Sequence, residues 1–128
     1  MCLDKLENFN LYRRYGWKMF REEYKGELHP IYKYPDSLFE ENTWISDYIE
    51  FNITAFSGIT YPCGFHLYVC KRVVQKYIVG MLSITWRKVY YKNVVAKGYE
   101  DGRKVIVARD IFVCDQNESV IPEIGEFA

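Results

Sequence analysis

Residues 60–70 read Thr-Tyr-Pro-Cys-Gly-Phe-His-Leu-Tyr-Val-Cys. Pro62 fixes φ and Gly64 tolerates positive φ, so this half punctuates a turn. From there the residues alternate. Phe65, Leu67 and Val69 point one way, and Gly64, His66, Tyr68 and Cys70 point the other. This pattern predicts a central strand with one face in a core and the other presenting His66 and Tyr68. Downstream, Val73, Val74, Tyr77, Ile78 and Met81 recur at helical spacing, which predicts an amphipathic helix over 71–81 ended by Gly80. Two alternating runs follow, 83–97 and 104–113, joined by Glu100-Asp101-Gly102. Asp-Gly between β-branched runs is a strong hairpin signal.

Upstream, residues 15–22 and 28–34 flank a turn at 24–27, and Pro30 marks the return strand as an edge. Residues 36–58 mix aromatic, aliphatic and acidic positions. Thr43 or Ser46 could start a short helical turn, and a long, partly ordered crossing with one short strand near 48–54 is expected. Residues 1–12 read as a loose arm. Residues 114–128 read as an acidic tail anchored by Val120, Ile121, Ile124 and Phe127. The fold class is α+β, a twisted, mostly antiparallel β-sheet with one short helix packed on a face, in a single domain over 1–128.

At 128 residues, 49% hydrophobic and 18% aromatic, the chain has material for a core and is not disordered. No apolar run approaches the ~20 residues of a membrane span, and the first residues lack a basic-then-apolar leader, so no membrane association and a cytoplasmic location are expected. Cys2, Cys63, Cys70 and Cys114 are then expected as free thiols. Cys63, His66 and Cys70 are three potential ligands off one strand, where zinc normally takes four, so neither a metal nor a cofactor is expected.

The formal net charge of zero hides a block pattern. Lys/Arg against Asp/Glu number 7 and 5 over 1–33, 0 and 5 over 34–70, 10 and 2 over 71–109, and 0 and 5 over 110–128. Either the acidic blocks fold against the basic one, or the basic block is an exposed site for an anionic partner. Within it, Arg87, Val89, Tyr91 and Asn93 share one strand face, with Trp86, Lys88, Tyr90 and Lys92 on the other. Bases interleaved with aromatics compose a stacking platform, or equally a hairpin whose lysines snorkel over tyrosines. Alternation puts Arg109 on a face with Val105, Val107 and Ile111, where burial requires an acid or a ligand anion. His66 either meets a ligand or holds the Pro62–Gly64 turn through a backbone carbonyl. His29 is expected at the surface. The candidate ligand-binding residues are therefore His66, Arg72, Arg87, Tyr91 and Arg109. Phosphate loops, nucleophile elbows and metalloprotease helices are missing from the sequence, and no enzyme activity is expected.

Gly16-Trp17-Lys18-Met19-Phe20, a lone Trp44, Pro62 to Tyr68, Val95-Ala96-Lys97-Gly98 and Val105 to Arg109 occur in one order. In this order the chain resembles a loose group of small tailed-phage and prophage proteins with a Gly-Phe-His strand motif, over roughly residues 15–113. No activity attaches to the group, so the resemblance implies provenance and, by association, a counter-defence role in the host cytoplasm. Two expectations follow. One is a binder that sequesters a nucleotide-like anionic ligand through the basic and aromatic region. The other is an anti-CRISPR-like inhibitor that meets a host defence protein through its acidic segments, at Asp36, Glu40, Glu41, Asp47 and Glu50. A homo-oligomer is compatible with both.

Overall fold

The computed structural model describes residues 3–11, 13–22, 24–31, 38–48, 52–55, 57–77 and 83–123. Among them the chain forms β1 (Lys5–Leu6), β2 (Tyr15–Glu22), β3 (Leu28–His29), β4 (Trp44–Ser46), β5 (Asn52–Thr54), β6 (Thr60–Pro62), β7 (Phe65–Tyr68), α1 (Lys71–Tyr77), β8 (Ile84–Glu100) and β9 (Arg103–Val113). Every strand pairing is antiparallel. The fold is thus mostly antiparallel sheet with one short helix among the described residues.

The hairpin of β8 and β9 dominates. Asp101 and Gly102 both take positive φ, 49° and 78°, as the tight turn between twisted strands requires. Because β8 is 17 residues long, it serves two neighbours. Its first part pairs with β2 and its later part with β9. Strand β2 meets β7 at Trp17 and Tyr68, and β7 pairs with β9 from Phe65 opposite Ala108 to Tyr68 opposite Val105. The circuit β8–β2–β7–β9–β8 therefore closes on itself. Strand β1 adds to β8, β3 to β2 and β4 to β9, while β5 and β6 form a separate hairpin.

Two apolar clusters follow from this closure. The first takes Phe20, Leu67, Val89, Tyr91, Ile106, Ala108, Ile111 and Val113 from all four circuit strands, so it fills the enclosed side. The second lies on the outer side, where Trp17, Tyr68, Val105 and Val107 are covered by Leu3, by Ala55 and Tyr61 of the β5–β6 hairpin, and by Val74 of α1. Phe65, Leu67 and Val69 go to the first cluster as alternation predicts. Their opposite face is not presented to solvent, because His66 and Tyr68 are buried under the second.

Other expectations are corrected. The N-terminal segment is no loose arm: Leu3 is fully buried and β1 pairs with β8. Residues 44–46, where a helical turn was one option, are an ordered strand, because Trp44, Ile45 and Ser46 pair with Phe112, Ile111 and Asp110. The expected strand near 48–54 appears as β5, with 49–51 outside the described residues. The helix is seen over Lys71–Tyr77, and 78–82 also lie outside. In the tail Cys114 is buried, but Val120 and Ile121 are exposed and anchor nothing; 124–128 lie outside the description. His29 is half-buried beside Glu27 rather than at the surface. The inward parity of β9 also shifts: Val105 and Val107 join the outer cluster but Ile111 the inner, so Arg109 does not share one face with all three. A bulge between Val94 and Ala96 and the positive φ of Asn93, 59°, mark the irregularity on β8. No helix among the described residues is long and apolar enough to cross a membrane.

Candidate ligand-binding face

The five residues singled out from the sequence lie in different surroundings. His66 is buried, and its Nε2 is 3.0 Å from the Tyr61 hydroxyl. That hydroxyl accepts the Leu3 backbone N–H at 3.0 Å, so it has its own proton to give to the imidazole. Burial first, then the nearby Lys18 ammonium, pushes the His66 pKa down to about 3. The ring is neutral at physiological pH and ties together the N-terminal segment, β6 and β7. Lys18 donates from Nζ to the His66 carbonyl at 2.8 Å, and burial lowers its pKa to about 8.

Tyr91 faces the enclosed core and donates its hydroxyl to the Arg13 carbonyl at 2.5 Å; burial pushes its pKa up to about 12. Arg87 is only 4% exposed, and four hydrogen bonds hold it. It donates to Glu41 at 3.1 Å, Glu22 at 3.5 Å, the Thr85 hydroxyl at 2.9 Å and the Trp86 carbonyl at 3.0 Å. Arg109 is half-buried, donates to the Asp47 carbonyl at 3.3 Å and sits 6.0 Å from the Tyr48 ring centroid. Arg72 is exposed on α1. His66, Arg87 and Tyr91 thus point into the protein and have their hydrogen-bonding groups engaged.

The acidic blocks do fold against the basic one in part. Glu41 meets Arg87, and Glu118 of the tail meets Lys88 at 3.4 Å. Glu40 is exposed, while Asp36 and Glu50 fall outside the described residues. Cys63, Cys70 and Cys114 are free. The Cys63 thiol donates to Asp47 at 3.8 Å and is raised in pKa by burial first and then by that carboxylate. No group of three His, Cys, Asp or Glu among the described residues is arranged to hold a metal.

The other face of β8 is different. Tyr15 lies opposite Tyr90, Tyr90 opposite Phe112, and Phe112 opposite Trp44. Four aromatic residues therefore form one row across β2, β8, β9 and β4, in direct register. Successive ring centroids are 5.8, 6.4 and 5.7 Å apart, and neighbouring planes are inclined at 66°, 73° and 60°. Phe112 is buried, while Tyr15, Tyr90 and Trp44 are partly exposed. Cations lie over its rings. Lys88 Nζ lies 4.1 Å from the Tyr15 centroid and 5.2 Å from that of Tyr90. Lys92 Nζ lies 4.2 Å from the Trp44 ring, and the Arg13 guanidinium 5.1 Å from Tyr15. Such placements are weakly attractive, by ~0.5–1 kcal/mol each at exposed sites. At the far end of β8 on the same face, Trp86 carries Lys71 of α1 at 4.9 Å.

Burial alone lowers the Lys88 pKa, but hydrogen bonding to Tyr90 and the charge of Glu118 outweigh it and leave the amine raised. Asp110, next to Phe112, is held by Ser46 Oγ at 2.5 Å, Tyr48 Oη at 2.6 Å and Asn93 Nδ2 at 2.5 Å. Burial pushes its carboxyl pKa up, and those hydrogen bonds outweigh it and keep the group ionised. A cleft lined by Leu11, Arg13, Tyr91 and Ile106 holds about 100 Å³, below the ~300 Å³ at which small-molecule pockets begin.

The alternation of Trp86, Lys88, Tyr90 and Lys92 was readable from the sequence. Tyr15, Trp44 and Phe112 were missed as site residues, since they join the row only through non-local strand register. No protein-family model matches the chain, and neither a curated protein nor a solved structure matches it.

Proposed function

We propose that this protein is a non-enzymatic binder of an anionic, nucleotide-like ligand, acting as a phage-type counter-defence factor that sequesters it. The observation that carries the reading is the register-aligned row Tyr15–Tyr90–Phe112–Trp44 with Lys88, Lys92 and Arg13 beside it. The rings offer stacking area to bases once the ammonium and guanidinium groups that lie over them turn to phosphates. Arg87, Tyr91 and His66 act in this reading as the framework behind the face. The competing expectation of an inhibitor using acidic segments is less favoured, because Glu41 is engaged with the buried Arg87.

The test is a thermal melt with a panel of nucleotides and cyclic dinucleotides at low salt. A ligand at a hundredfold excess over its dissociation constant stabilises by about 2.7 kcal/mol, which a melt resolves. Stabilisation should vanish in Lys88→Gln/Lys92→Gln and weaken as salt rises. A flat response to the whole panel, with no binding by direct titration, overturns the reading.

A further inference from the structure

Resting on that reading of the face, we propose that its ligand is a single strand of nucleic acid, about three bases of which span β2 to β4, rather than a mononucleotide. The row is four positions wide, because each member is the direct register partner of the next. A mononucleotide brings one base and would leave most of the row unused. Tyr15, Tyr90 and Trp44 are the partly exposed rings and Phe112, between Tyr90 and Trp44, is buried, so three rings are open to bases. The 5.7 to 6.4 Å between ring centroids greatly exceeds the ~3.4 Å rise per nucleotide of a stacked helix. Bases laid on this row are therefore splayed apart, which a single strand permits and a duplex does not. A cation lies over each partly exposed ring, Arg13 and Lys88 at Tyr15, Lys88 also at Tyr90 and Lys92 at Trp44, so a base that stacks there turns the cation aside toward the adjoining phosphate.

The free protein supplies its own anion to this face. Glu118 pairs with Lys88 at 3.4 Å from a tail turn held by Asp115, which accepts the Ser119 N–H at 2.9 Å. A phosphate arriving at Lys88 displaces Glu118, so that carboxylate opposes binding.

The experiment is fluorescence anisotropy of the full chain at 25–150 mM salt, with labelled thymidylates of one, three, six and twelve nucleotides and a twelve-base-pair duplex. Affinity should rise at least tenfold from one to three nucleotides, then only slowly. Single strand should exceed duplex at least tenfold. Three neutralised phosphates give a slope of log K against log salt of about −2. Tyr90→Ala/Trp44→Ala should lose at least tenfold. Lys88→Met/Lys92→Met, which keeps the aliphatic stems and so the packing, should flatten the salt slope. Glu118→Gln should tighten binding two- to fivefold. If a mononucleotide binds as tightly as the twelve-mer, the single-strand class is wrong and the nucleotide reading survives. Equal affinity for duplex overturns the stacking row in favour of plain charge attraction. Failure of every nucleic acid and nucleotide overturns both readings.

Discussion

His66 and Lys18 are polar groups enclosed by the fold, and both record the cost as lowered basicity. The His66 pKa of about 3 lies below the ordinary 6.5, so the folded state favours the neutral ring. Its contribution to stability is complete above pH 6.5 and is lost as pH falls from 6.5 toward 3. At pH 5 that loss is about 2 kcal/mol relative to pH 7. The expected outcome is a clear drop in melting temperature between pH 7 and 5, reduced in His66→Gln. An NMR titration showing the His66 ring protonating between pH 6 and 7 contradicts this. For Lys18, lowered from 10.5 to about 8, stability is full above pH 10.5 and falls as pH drops through 8. Lys18→Met should accordingly gain more on the wild type at pH 7 than at pH 10, read from denaturant midpoints at the two values.

At the scale of elements, the attachment of β1 hangs on one glycine. A Cβ at Gly98 would lie 2.0 Å from the Lys5 carbonyl oxygen, so only glycine allows the two backbones to approach. Gly98→Ala is expected to cost about 1–3 kcal/mol. Hydrogen exchange should show the Asp4 and Glu7 amides, which donate to the Tyr99 and Lys97 carbonyls, losing protection while the centre of β8–β9 keeps it. Unchanged protection of those amides would mean β1 is held by something else. This contact also explains what was legible beforehand. Asp101-Gly102 announces its hairpin locally, and the grouping of Arg87, Val89 and Tyr91 on one face follows from period two alone. A two-residue strand docking on Gly98 has no local signature, and neither does Trp44 extending to meet Phe112. The alternation of β8 separated its two faces correctly, but closure of the circuit decided which one turned inward. That is why Arg87 and Tyr91 are interior while Lys88 and Tyr90 remain at the surface.

Across the whole molecule, the charge blocks meet in the ion triad at Arg87. Glu22 comes from the first block, Glu41 from the second and Arg87 from the third, and the guanidinium is 4% exposed against 26% for each carboxylate. Burying that cation is tolerable because two carboxylates, a hydroxyl and a carbonyl accept from it. Removing one carboxylate leaves a buried charge short of a partner, while Glu22, Thr85 and the Trp86 carbonyl still hold it. The cost of Glu41→Gln is therefore expected near the lower range for lost charged hydrogen bonds, about 1–3 kcal/mol. For a domain of this size, each kcal/mol lowers the melting temperature by roughly 3–6 °C. The triad is largely shielded from solvent ions, so this difference should persist from 25 to 500 mM salt, whereas an exposed pair would be screened. Ligand affinity on the outer face should not change, because Arg87 points away from Lys88 and Tyr90. A melting temperature insensitive to Glu41→Gln would mean the acidic segment is not the counterion of the buried arginine. Tighter anion binding by the same variant would mean that Arg87 is accessible after all, and that the site extends through the sheet.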